Sequence, residues 1–159
     1  MAVSINYPVA GLGNNTSIAS GSKVMVNGDI IFTISNGPIQ IISLLSECVT
    51  ANNTTASTLQ WNSAPTVGSA TTISGASASL ISATAGTTVL LSPTALTTAP
   101  VIVAASAGGV QLGTDVANRI IVMAGTLKIV IGVGSTTGTW RHYLNWIPLN
   151  ASSSVAANQ

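Results

Sequence analysis

Hydrophobic positions in this chain recur every second residue or in short runs, not with a helical period. Val24 and Val26 flank Met25, and Asn27-Gly28 then supplies a turn able to take positive φ. Residues 30–34 read Ile-Ile-Phe-Thr-Ile, a β-branched and aromatic run that predicts a strand. Ser35-Asn36-Gly37-Pro38 ends it. Residues 39–50 carry apolar side chains at both parities, which predicts a strand buried on both faces, with Glu47 and Cys48 interrupting it near its end. Residues 52–55 read as a loop. Residues 58–62 alternate, placing Leu59 and Trp61 on one face, and Pro65 stops that strand.

Residues 66–100 are almost entirely Ser, Thr, Ala and Gly. Weak strands are expected at 71–73, 80–84 and 87–91, with Gly75 and Gly86 between them and Pro93 and Pro100 restricting the loop that follows. Further strands are predicted at 101–104 and 119–123, and Gly125 breaks or bulges the second. Leu127, Ile129, Ile131 and Val133 share one face of the next segment. Residues 134–138 have the length of a hairpin loop, so 126–147 is predicted to form a hairpin in the main sheet with Leu127, Ile129 and Ile131 inward. In its second arm Trp140, His142, Leu144 and Trp146 lie on one side. Arg141, Tyr143, Asn145 and Ile147 lie on the other, and Pro148 terminates it.

No segment combines a 3.6-residue period with helix caps. Short strands separated by turn signals predict an all-β fold: an antiparallel β-sandwich or jelly-roll-like barrel. The organisation expected is an extended N-terminal arm at 1–22, the β-sandwich domain at 23–149 and a polar C-terminal tail at 150–159. Val3, Ile5, Tyr7 and Val9 alternate as an added strand would, so the arm is a candidate for swapping or for contact with a partner.

Charge changes the picture most. The 159 residues include four Lys or Arg and three Asp or Glu, 4% charged, where ordinary domains have about 25%. A net charge of +1 cannot hold nucleic acid by counterion release, and no basic cluster suits an anionic membrane surface. The apolar runs are far too short for a membrane-spanning helix. Met1 to Asn6 shows neither a basic nor an apolar leader pattern, so synthesis in the cytoplasm without export is expected. So little charge leaves monomers with little to keep them apart, and points to a surface hidden against copies of the chain or a large partner.

Site chemistry is correspondingly thin. His142 is the one histidine and could serve nucleophilic catalysis with a serine and Asp29 or Asp115, but no nucleophile motif surrounds it. Packing is its commoner role. Glycoside hydrolysis needs two facing carboxylates from Asp29, Glu47 and Asp115. Cys48 is the single cysteine, which excludes an intrachain disulfide and a cysteine metal cluster. Gly11-Leu12-Gly13 and Gly132-Val133-Gly134 lack the context of phosphate loops. Trp61, Trp140 and Trp146 are expected in the core. No catalytic, cofactor or metal site is assigned, and no enzymatic activity is expected.

Two stretches carry a resemblance. Asn27 to Ile41, followed by Ser43-Leu44-Leu45 and Val49-Thr50, joins a Gly-Asp-apolar-Phe-Thr strand to a Gly-Pro-Ile turn and a second apolar strand. Ala124 to Ile129 and Ser135 to Leu149 give Gly-x-apolar, a Thr-Gly turn, an aromatic strand and Pro-Leu. In both, the chain resembles small virion structural proteins of tailed bacteriophages, of the capsid decoration or cement kind. The resemblance implies a non-enzymatic virion part contacting the major capsid protein or other virion proteins. Three-fold axes of an icosahedral capsid would favour a homotrimer. The alternative is a receptor- or glycan-binding fibre or tail module, and a hydrolase domain is a third reading.

Overall fold

A computed structural model describes residues 16–91, 98–103, 120–132 and 137–158. These residues form an all-β sandwich of two antiparallel sheets. Twelve strands follow in chain order: β1 Thr16–Ala19, β2 Lys23–Val24, β3 Ile30–Ser35, β4 Ile39–Cys48, β5 Leu59–Pro65, β6 Thr71–Thr72, β7 Thr88–Leu90, β8 Val101–Val103, β9 Ile120–Val122, β10 Gly125–Ile131, β11 Thr139–Pro148 and β12 Ser154–Ala157. The larger sheet runs β1-β11-β4-β7-β8, with β2 also on β11 and β9 also on β4. The smaller runs β12-β3-β10-β5-β6.

Alternation places Leu59, Trp61, Leu127, Ile129, Trp140 and Leu144 in the layer between the sheets, each at most 1% exposed. Trp146 joins them, so all three tryptophans are core residues. Leu127, Ile129 and Ile131 face inward as expected. The predicted hairpin does not form. β10 is bonded on both sides, by β3 and β5, while β11 pairs with β4, β1 and β2 in the other sheet. With both edges of β10 occupied, the connection must cross between sheets.

The two-faced burial expected at 39–50 is also corrected. Asn145 pairs with Ser43, yet Trp146 pairs with Ile41, so Ile42 is an extra residue in a β-bulge. The bulge exchanges the faces: Ile39 and Ile41 point inward before it, Leu44, Ser46 and Cys48 after it. β3 repeats the device. Leu127 pairs with Phe32 and Lys128 with Ile30, so Ile31 is the extra residue and both Ile31 and Phe32 are buried. Consecutive apolar residues here mark a change of face.

Among its described residues, the Ser/Thr/Ala-rich stretch supplies strands only at β6 and β7; residues 80–84 turn instead, with Leu80 buried and Ser82 at φ 53°. Its main work is to close an edge. Beyond the β6 pairing, β5 would present bare N–H groups. Trp61 N–H donates to Ser74 Oγ (3.1 Å) and Leu59 N–H to Ser77 Oγ (2.9 Å). Ile73 and Ser77 N–H groups donate back to the carbonyls of Trp61 and Leu59. Serine side chains thus replace a backbone neighbour and shield the edge from other strands.

Both ends of the described chain are structured. Thr16–Ala19, inside the stretch expected as an arm, pairs with β11, and Ser154–Ala157, inside the expected tail, pairs with β3. Val3, Ile5, Tyr7, Val9 and the Gly11-Leu12-Gly13 stretch lie outside the described residues, as do Asp115, Arg119 and Pro93.

Candidate functional site

β4 and β11 lie side by side over their whole length and carry most of the chain's chemically distinctive side chains. On the inner face, His142 stands opposite Ser46, and Ser46 Oγ and His142 Nδ1 share a hydrogen bond of 2.7 Å. Burial drives the imidazole pKa down to about 4, with the charges of Asp29 and Lys23 acting on it in opposite senses. The ring is therefore neutral at pH 7. Ser20 fixes its backbone: Ser20 N–H donates to the His142 carbonyl (2.8 Å) and His142 N–H donates to Ser20 Oγ (2.9 Å). This single residue bridges the gap that β1 and β2 leave along β11.

The pair has two members of a nucleophilic triad but not its access. Ser46 is 0% exposed and His142 3%. The Asp29 carboxylate is engaged elsewhere, accepting from Val26 N–H at 3.0 Å and pairing with Lys23 at 3.2 Å. Asp29 therefore stands by its own turn. A substrate cannot reach Ser46 without parting the two sheets, so the arrangement serves the core.

Cys48 is likewise interior, with its thiol donating to the Thr50 carbonyl at 3.2 Å and its pKa raised by burial. Among the described residues no His, Cys, Asp and Glu gather into a group able to hold a metal ion.

On the outer face the register sets side chains in rows across β1, β11 and β4. Ser17, Asn145 and Ser43 stand abreast; next come Ala19, Tyr143 and Leu45; then Arg141 and Glu47. Tyr143 Oη donates to Glu47 Oε2 at 2.5 Å. Arg141 is held in its charged form by a hydrogen bond to Tyr143 and more weakly by Glu47. A shallow groove of about 440 Å³ lies over the first two rows. Asn145 Oδ1 is enclosed and has no hydrogen-bond partner.

Comparison with protein-family models, with curated proteins and with solved structures finds no match to this chain.

The structure does not bring Asp29 and Glu47 together as a facing pair: each is committed to its own neighbours on a different element. The Arg141, Tyr143 and Glu47 cluster escaped the sequence reading. Alternation placed Arg141 and Tyr143 on one side of a strand, but the pairing that sets Glu47 opposite Arg141 spans 94 residues and has no local signal.

Proposed function

We propose that this chain is a structural protein of a tailed bacteriophage virion, decorating the capsid as a homo-oligomer, a trimer, bound to the major capsid protein. The observation that carries the reading is a two-sheet sandwich that exposes large aliphatic side chains and is rich in Ser and Thr. Val67 (87% exposed), Ile121 and Met123 (58% each) stand in solvent, in a chain with so few charges. Exposed aliphatic groups of this kind suit burial against a partner. Ser and Thr can add hydrogen bonds there without the cost of desolvating charge. Closed symmetry would hide identical patches on every copy without open-ended growth. The motif resemblance supports the virion setting. Catalysis has no part in this role.

Co-sedimentation of purified protein with capsids that lack it tests the reading, with light scattering giving the mass of the free protein. Saturable binding by a species of three times the chain mass is the expected result. A monodisperse monomer that fails to sediment with capsids would overturn it. A second reading, a glycan- or receptor-binding fibre or tail module, is favoured by the outer-face groove.

A further inference from the structure

The chain has two Asn-Gly pairs, Asn27-Gly28 before β3 and Asn36-Gly37 between β3 and β4. Both asparagines are exposed. Both pairs bend the chain through positive φ, with Gly28 at 87°, Asn36 at 62° and Gly37 at 149°. An Asn-Gly pair is open to an internal reaction, because a glycine has no Cβ to hinder its nitrogen from approaching the asparagine side-chain carbonyl. The reaction needs that nitrogen released from hydrogen bonding and the side-chain amide able to turn towards it.

The fold treats the two pairs differently. Asn27 Oδ1 accepts from Ile131 N–H at 3.1 Å, and Gly28 N–H donates to the Ile129 carbonyl at 2.9 Å. Both reacting groups of the first pair are thus tied to β10. At the second pair, neither Gly37 N–H nor the Asn36 side chain has a hydrogen-bond partner among the described residues. The Asn36 carbonyl accepts from Ser152 Oγ at 3.0 Å, but that hydroxyl also lies 3.1 Å from Asn150 Oδ1 and is divided between them. Asn36 also holds a left-handed conformation that is disfavoured for a residue with a Cβ, so the bend resists opening weakly.

We propose that Asn36 is a site of spontaneous covalent modification, converted to aspartate and isoaspartate through attack by its own neighbour Gly37, while Asn27 is protected by the fold. The Gly37 nitrogen bonds to Asn36 Cγ, the Cγ–Nδ2 bond breaks, and the displaced proton leaves with the amide as ammonia. Water then opens the cyclic imide at either carbonyl: one cleavage yields aspartate, the other routes the main chain through the side chain as isoaspartate. One water is consumed, one ammonia is released and nothing is oxidised. The new carboxylate takes the formal net charge from +1 to zero, where proteins associate most readily. Isoaspartate also lengthens the main chain where Ser152 Oγ, Ser153 Oγ and Leu149 N–H donate to the carbonyls of Asn36 and Pro38, contacts that hold the approach to β12. This chemistry is independent of any role in a virion.

The test is prolonged incubation of the full folded chain in mildly alkaline buffer at body temperature, with a parallel sample in concentrated urea. Fragment-ion mass spectrometry of proteolytic peptides locates each amide-to-acid conversion, and labelling by an isoaspartyl methyltransferase reports isoaspartate. In the folded chain Asn36 is expected to convert at least about tenfold faster than Asn27, which reacts only in molecules that have opened locally. In urea the two should convert at comparable rates. Asn36→Gln should remove the fast conversion, because a glutamine would have to close a larger ring. The wild-type measurement decides by itself. Asn36 intact in the folded chain when the urea sample has converted overturns the proposal. So do equal rates at the two sites in the folded chain, or a preference for Asn36 that persists unchanged in urea.

Discussion

Ser46 Oγ and His142 Nδ1 lie 2.7 Å apart in the closed layer between the two sheets, joining adjacent strands β4 and β11 from within. The histidine is there as a neutral hydrogen-bonding core residue, and this has a consequence for acid stability.

Its folded pKa of about 4 lies below the ordinary 6.5, so the unfolded chain takes up the proton first. The contribution to stability is complete above pH 6.5, declines as pH falls through the window to 4, and is fully lost below it. The shift corresponds to roughly 3 kcal/mol. Thermal melts of wild type and His142→Gln across this range should show a slope in the wild type that the variant lacks. Parallel profiles would contradict this account of the ring.

Asn52 is a second interior anchor. Its Oδ1 accepts from Trp140 Nε1 at 3.0 Å, its Nδ2 donates to the Leu80 carbonyl at 3.0 Å, and its N–H donates to the Ala83 carbonyl. Asn52→Ala keeps the last bond, strands the indole N–H and leaves the Leu80 carbonyl with its Ala83 N–H donor. A loss of about 3 kcal/mol is expected in urea unfolding, against less than about 1 kcal/mol for Asn53→Ala.

Gly125 opens β10 at φ 152°, and a Cβ there would strike the Ala64 carbonyl and the Pro65 backbone. Neither obstacle is a flexible side chain. Gly125→Ala should cost more than about 2 kcal/mol. Gly28, also at positive φ but with open space around it, should lose only about 1 kcal/mol on the same change. Denaturant midpoints of the two variants give the comparison.

Ser74 and Ser77 cap the β5 edge. Ser74→Ala with Ser77→Ala removes both acceptors from buried N–H groups and bares a strand edge. The double variant should lose about 2–4 kcal/mol and aggregate on warming at temperatures where wild type stays clear. Light scattering during a thermal ramp reads both effects.

Strand positions and inward faces were legible wherever alternation was clean, as in Leu59-Trp61, Leu127-Ile129-Ile131 and Trp140-His142-Leu144. The partners of those strands were not. β10 and β11 are consecutive and separated by a hairpin-sized stretch, yet they belong to different sheets, with β3 and β5 on the edges of β10 and β4 beside β11, all far away in sequence. The bulges at Ile31 and Ile42 hid inside apolar runs that a period-two reading takes as double burial. The edge role of Ser74 and Ser77 was invisible because serine as a surrogate acceptor leaves no hydrophobic trace. On the candidate site, the scarcity of ionisable groups was plain from composition. The Glu47, Tyr143 and Arg141 cluster needed the β4–β11 register, which only the fold supplies.

The proposed function makes this sandwich an exterior part of a virion. A cryo-electron microscopic reconstruction of the particle carrying it tests that claim most directly. Density for three copies of the sandwich is expected at the local three-fold positions of the capsid surface, with the Val67, Ile121 and Met123 region covered by a neighbour. Density for the chain at the tail tip, or its absence from purified particles, would contradict it.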